Sequence, residues 1–147
     1  MFKRILIPTD GSKVAEKAVK SGIRLAKEIG AKVVGYYAIE RIQSYDYSGG
    51  MIVDGRVIAE LERQSEASGE KTLAAMAKLA KASRVRFDSL CDTPGSAYLG
   101  IVAAARRKKC DVIFMASHGR SGLAKLVLGS VTQKVLAHSK IPVLVYR

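Results

Sequence analysis

Two stretches of the chain concentrate residues able to hold an anion or a polar ring. They are Ile7-Pro8-Thr9-Asp10-Gly11-Ser12 near the amino terminus and, far downstream, Ala116-Ser117-His118-Gly119-Arg120-Ser121-Gly122. In the first, Ser12 is the better placed residue to cap a following helix. Asp10 is then left either to accept a hydrogen bond from a base or sugar, or to close a local Asx-turn. In the second, Gly119 and Gly122 open backbone conformations closed to other residues, and Gly129-Ser130 stands directly before a helical pattern. A phosphate resting there would meet amides that lack helical partners and the positive end of the helix dipole. Gly129 would let it come close, and Ser130 would offer a hydroxyl. Ser130 and Gln133 also spell a capping box that needs no ligand, and the two readings are compatible.

Catalysis finds less support. His118 is the one imidazole in these stretches, and hydrolysis would need an aligned water, charge neutralisation and usually a metal, for which Asp10 is the evident local ligand. His118 is therefore read as a binding or loop-structuring residue, and no catalytic residue is assigned. Cys91 and Cys110 lack a C-x-x-C or metal-ligand spacing, so no metal site is expected and both read as buried or half-buried thiols. The chain contains no G-x-x-x-x-G-K-[ST] loop and no S-G-G-x-D-S loop. The three-acid cluster of a receiver domain is missing as well.

These stretches need a scaffold, and its elements follow from periodicity. The apolar run over residues 4–8 predicts a strand buried on both faces. Residues 12–29 repeat apolar positions at helical spacing, with Ser12 as N-cap and Gly30 as stop. A second strand is predicted over 32–39, a loop of no steady period over 40–55, and a helix over 57–82 weakened near Ser65, Ser68 and Gly69. A third strand spans 84–91. Thr93-Pro94 reads as a cap and first-turn proline opening a helix through Ala105. A fourth strand covers 111–116, a short helix 130–138 and a last strand 142–146. Alternation of strand and helix predicts an α/β fold, a parallel sheet with right-handed crossovers. Ligands in such sheets bind beyond the carboxyl ends of the strands where the winding reverses, and strands one and four meet there.

At 147 residues, with 48% hydrophobic and 26% charged residues, the chain suits one domain with an ordinary core. No stretch approaches the length of about 20 apolar residues that a bilayer requires. The apolar run that ends at Pro8 is too short for a signal-peptide core, so a cytoplasmic protein is expected. A formal net charge of +12 invites a nucleic-acid partner, yet the charges are spread along the chain. The densest run, Arg106-Arg107-Lys108-Lys109, ends a predicted helix whose dipole favours cations, and no recognition motif accompanies it. Nucleic acid is accordingly not expected.

Ile7-Pro8-Thr9-Asp10-Gly11-Ser12, the glycine stretch from Met115 through Val131, and the ending Ile141-Pro142-Val143-Leu144-Val145 fall in order along the chain. Through them, and over essentially its whole length, the chain resembles the universal stress protein family, whose nucleotide-binding members carry G-x2-G-x9-G-[ST]. By position the second glycine is Gly119, the third Gly129, and Ser130 holds the hydroxyl position. The first glycine is replaced by Ala116, whose methyl falls where the family's backbone runs close to ribose and phosphates.

The resemblance implies a three-layer, Rossmann-like open sheet of five parallel strands in the order 3-2-1-4-5. It implies that Asp10 and the backbone near Ala38 hold adenine, and that His118, Gly119, Arg120, Gly129, Ser130 and Val131 surround ribose and phosphates. Pro8, Thr9, Met115 and Ala116 complete the site. The implied ligand is ATP or AMP, with magnesium accompanying ATP, and the implied assembly is a homodimer through the edge strand near Val143, Leu144 and Val145. The leading reading is an adenine-nucleotide-binding stress-response or regulatory protein. A nucleotide-free homodimeric module and a very slow ATPase or autophosphorylating protein stand as alternatives.

Overall fold

The computed structural model describes residues 2–39, 54–119 and 128–147. Among them, β1 (Arg4–Pro8), α1 (Lys13–Ile29), β2 (Lys32–Ala38), α2 (Gly55–Ala82), β3 (Phe87–Asp92), α3 (Ala97–Arg107), β4 (Val112–Ala116), α4 (Ser130–His138) and β5 (Val143–Tyr146) follow one another along the chain. The strands form one parallel sheet in the order β3-β2-β1-β4-β5, the doubly wound arrangement expected from the sequence.

The central strands carry apolar residues on both faces because helices cover both. Ile5 and Ile7 of β1, Val33 of β2 and Val112 and Phe114 of β4 pack with Ala18, Ile23 and Ala26 of α1 and with Leu73, Met76 and Ala80 of α2. Leu6, Val34, Tyr36, Ile113 and Met115 face the other way, onto Ile101, Ala104 and Ala105 of α3 and Val135 of α4. Ile5, Leu6 and Ile7 are wholly buried, and each contributes about 1.5–3 kcal/mol relative to exposure. The two thiols are free, with Cys91 half-buried and Cys110 buried. Burial pushes the Cys110 thiol up to about 11.

Several boundaries differ from expectation for identifiable reasons. α2 runs unbroken through Ser65, Ser68 and Gly69, because Gly69 lets the helix lie close on Tyr37 and Cys91 of the sheet. It starts at Gly55, capped by the Asp54 carboxylate, which accepts from Arg56 N–H at 2.9 Å. The rest of the expected loop, residues 40–53, lies outside the described residues. β3 begins at Phe87 rather than Arg84, since Arg84 and Val85 are still closing α2 by donating to the carbonyls of Lys81 and Ala80. Thr93-Pro94 does not open α3. Pro94 packs against Gly100, and the helix begins three residues later, at Ala97, with Ser96 as its N-cap residue. Asp111 precedes β4, its carboxylate accepting from the amides of Lys3 and Arg4, which fixes the start of β1 beside it. No described helix is long and apolar enough to cross a membrane.

Candidate functional site

At the carboxyl edge of the sheet β1 and β4 lie side by side, and the chain leaves them on opposite faces. The turn after β1 is built by short-range hydrogen bonds. Thr9 N–H donates to the Tyr36 carbonyl at 2.9 Å, holding the exit on β2. Ser12 N–H donates to Asp10 Oδ1 at 3.0 Å, and Ser12 Oγ accepts from Ala15 N–H at 3.2 Å as the α1 cap. The Asx-turn and the serine cap therefore coexist. The other carboxylate oxygen of Asp10 abuts Gly119, where a Cβ would collide with it. Two stretches more than a hundred residues apart in sequence thus meet at Asp10 and Gly119.

The second stretch leaves β4 held by hydrogen bonds from three sides. Ser117 N–H donates to the Tyr146 carbonyl at 2.8 Å, Gly129 N–H donates to the Ser117 carbonyl at 2.8 Å, and Thr132 Oγ1 donates to the Ala116 carbonyl at 3.1 Å. The start of α4 is thereby laid directly over the end of β4. Gly129 is its N-cap residue in extended backbone, and a Cβ there would stand 3.0 Å from His118 Cα. Gly129 has no side chain with which to cap the helix. The capping box does not form: Ser130 is already the first helical residue, and Gln133 Nε2 donates to the Leu128 carbonyl at 2.8 Å instead. The start of α4, from Gly129 to Thr132, borders the crevice. His118 Nδ1 lies 2.9 Å from Ser117 Oγ, tying the ring to its own loop.

Between the two stretches lies a cavity of about 210 Å³. Pro8, Thr9, Asp10, Ala38, Met115, Ala116, His118, Gly119, Gly129, Ser130 and Val131 all line it, and Arg120 lies outside the described residues. Ala116 is part of the wall, and the cavity stays open beside it. Sequence reasoning missed Ala15, Tyr36, Tyr37, Ser65, Ala97, Ile101 and Thr132. Two adjacent tyrosines near the carboxyl end of β2 were a usable signal, since the edge was already the expected place. Nothing near Ser65 marks it, because it reaches the cavity only through the path of α2.

Ile39 N–H is committed to the Asp92 carbonyl at 2.8 Å, while the Tyr36 carbonyl faces β1. Strand alternation therefore turns the peptide groups of Ala38 toward the β1 side and the cavity. Tyr36 donates its buried hydroxyl to Asp92 Oδ1 at 2.7 Å, and Asp92 Oδ2 is paired with Arg107 at 2.6 Å. Burial, then the hydrogen bond to Asp92, raises the phenol far above its usual range, so it remains a donor. Of the described lining residues, Asp10 is the one carboxylate and none is Lys or Arg. Among the described residues no group of three or more His, Cys, Asp or Glu could hold a metal ion.

An open parallel sheet with a crevice at its switch point and a helix start bordering that crevice defines a doubly wound α/β domain suited to a small anionic ligand. The model of the universal stress protein family matches residues 1–147, and the chain belongs to that family. It is 32% identical to universal stress protein MJ0531 of Methanocaldococcus jannaschii, covering 100% of this chain and 83% of that protein. It is 33% identical to a universal stress protein of Thermus aquaticus, covering 100% of each. The solved structure of MJ0577, also from Methanocaldococcus jannaschii, matches at a TM-score of 0.81 and 27% identity over 99% of this chain and 95% of that one. Two more distant structures share the fold. One is a universal stress protein in complex with cAMP, at a TM-score of 0.70 and 22% identity over 99% of this chain and 97% of that one. The other, from Archaeoglobus fulgidus in complex with dAMP, gives 0.64 and 18% over 99% and 98%.

Proposed function

We propose that the protein binds an adenine nucleotide, ATP or AMP, in the cavity at the carboxyl edge of its sheet and acts as a stress-response or regulatory protein. The observation that carries this reading is the cavity itself, open between Asp10 and the start of α4. The residues fit the ligand. Glycine stands at 119 and 129, where a side chain would strike Asp10 or the backbone of His118. The polar groups are placed for complementary ends of a nucleotide, with Asp10 and the peptide groups of Ala38 toward the base and Gly129, Ser130 and Val131 toward phosphate. At about 210 Å³ the cavity is smaller than the ~300–1,000 Å³ common for small-molecule sites. It takes base and ribose inside and leaves the phosphates at the mouth, where the α4 dipole meets them. The cAMP- and dAMP-bound relatives support an adenosine monophosphate as the common denominator. With Asp10 the one carboxylate among the described lining residues, magnesium would arrive on the phosphates of ATP rather than in a protein cage.

Calorimetry with ATP, ADP and AMP at millimolar concentration tests the proposal, together with thermal denaturation in the same solutions. A ligand at one hundred times its Kd stabilises by about 2.7 kcal/mol, a shift of several degrees for a domain of this size. Absence of both heat and shift for all three nucleotides would refute it. The edge position of β5, with Leu144 37% exposed, favours a homodimer through Val143, Leu144 and Val145. Sedimentation as a monomer at micromolar concentration would count against that assembly.

A further inference from the structure

The basic residues that are scattered in sequence are gathered in space. In a parallel sheet with helical crossovers, every helix ends and every strand begins at the same edge, here the one opposite the cavity. Exposed Lys27, Lys81 and Arg106 stand in the last turns of α1, α2 and α3. Exposed Lys3, Arg86, Lys109 and Lys140 precede β1, β3, β4 and β5, and Arg84 lies in the turn before Arg86. The row therefore crosses all five strands, a width of about 19 Å at ~4.8 Å per strand spacing. Against these eight cations the edge carries the exposed Glu28 and the half-buried Asp111, whose carboxylate accepts from the amides of Lys3 and Arg4. Asp88 is already engaged by Lys32 and Lys108, at 3.8 Å and 3.1 Å.

Helix dipoles alone do not account for the row. Four helix C-termini at about half a negative charge each, with Glu28 and Asp111, offset roughly four of the eight charges. A second observation is independent of charge counting. α1, α2 and α3 close in the same way, with a left-handed residue followed by one whose amide returns to the helix. In α1 that left-handed residue is Gly30 at φ 71°. In α2 and α3 it is Arg84 at φ 60° and Lys109 at φ 51°. Glycine adopts this conformation freely and a side chain does not. Two cations are thus kept at positions where folding alone favours glycine.

We propose that this edge is a docking surface for the phosphodiester backbone of nucleic acid, bound without regard to sequence. About 19 Å of duplex carries roughly eleven phosphates, comparable to the eight cations offered. The turns that bear the row, residues 30–31, 83–86, 108–109 and 139–140, contain no exposed large apolar side chain for insertion into a bilayer. No exposed aromatic offers a base-stacking platform there, which makes phosphate the recognised group.

The test uses the full chain and a labelled mixed-sequence duplex DNA of 24 base pairs, with fluorescence anisotropy from 50 to 200 mM KCl. Binding is expected with a Kd on the order of 10⁻⁴–10⁻⁶ M near physiological salt, weakening steeply as salt rises. Arg84→Gly combined with Lys109→Gly should lower affinity roughly 60-fold at 0.1 M salt and flatten the log–log slope by about 1.8. The same double variant should melt a few degrees higher, because glycine relieves two left-handed side chains. Lys17→Gln with Lys20→Gln, removing equal charge from the middle of α1, should leave the slope unchanged. The proposal is overturned if the wild type fails to bind at 50 mM salt, or if the glycine variant binds as the wild type does. It is equally overturned if the α1 variant loses as much affinity, if vesicles with one-third anionic lipid bind tighter than the duplex, or if the glycine variant melts lower, which would make the two cations structural.

Discussion

Replacing Gly129 by alanine separates the fold from the site. The backbone at Gly129, φ −60° and ψ 148°, is open to any residue, so alanine meets no conformational barrier and removes freedom from the unfolded chain. That freedom is worth about 0.4–1 kcal/mol in favour of the folded state. Against it, the new Cβ would stand 3.0 Å from His118 Cα and 3.4 Å from His118 Cβ and the Ser117 carbonyl. These neighbours are largely backbone and are held at both ends, by Ser117 N–H on Tyr146 and by Gly129 N–H on Ser117, so they give by only a few tenths of an ångström. Overpacking of this kind costs about 1–3 kcal/mol. The net change in stability is then within about 2 kcal/mol, a few degrees of melting temperature. Binding should change far more, because the added methyl and the displaced loop 117–119 stand over the amides that begin α4. Calorimetry with adenosine, AMP and ATP reads the difference. Adenosine should lose no more than about twofold, whereas AMP and ATP should lose at least about tenfold, or 1.4 kcal/mol. Equal losses for adenosine and AMP in a folded variant would refute the reasoning, since the phosphate would then not rest at Gly129.

Other expectations follow from the same geometry. Tyr36→Phe removes a buried hydrogen bond to a carboxylate and should cost about 1.5–3 kcal/mol by chemical denaturation. Because the folded phenol holds its proton above the unfolded value of about 10, the wild type loses this advantage as pH rises past 10, and the gap between the two proteins should narrow there. A gap that widens instead would contradict the burial of that hydroxyl. Ser12→Ala should cost about 1 kcal/mol through loss of the α1 cap, seen as a drop of a few degrees in melting temperature with the Asp10 turn intact. Ala116→Gly trades a buried methyl and some backbone stiffness, about 1–2 kcal/mol, for a wider cavity wall. ATP affinity should rise relative to wild type, and unchanged affinity would show that the methyl is already accommodated.

The sheet was legible because its strands are buried on both faces and read as continuous apolar runs, as at Ile5-Leu6-Ile7, while α1 carries a serine cap at Ser12 and a glycine stop at Gly30 that state its two limits. The site was legible for a different reason. Glycines at 119 and 129 are demanded by contacts with Asp10 and His118, and such demands survive in sequence as residue types even where the contact itself is distant. What escaped was carried by long-range packing with no local mark. Thr93-Pro94 has the chemistry of a helix start, but Pro94 is taken by Gly100, so the helix opens at the less telling Ser96. Ser130 and Gln133 have the spacing of a capping box, but the hydrogen bond from Gly129 to Ser117 advances the start of α4 by one position and strands the pair inside the helix.

Arg84 and Lys109 extend this point from boundaries to function. A residue that departs from the locally preferred type is invisible to pattern reading, because the pattern sought is glycine, and it becomes visible only once φ shows which conformation it has been made to adopt. At the cavity glycine stands where contacts with Asp10 and His118 leave no room for a side chain, so residue type follows packing there. At the opposite edge two residues run away from the locally preferred glycine and keep charge. That departure, rather than the net charge of the chain, is the reason to look for a second anionic partner at the edge opposite the cavity.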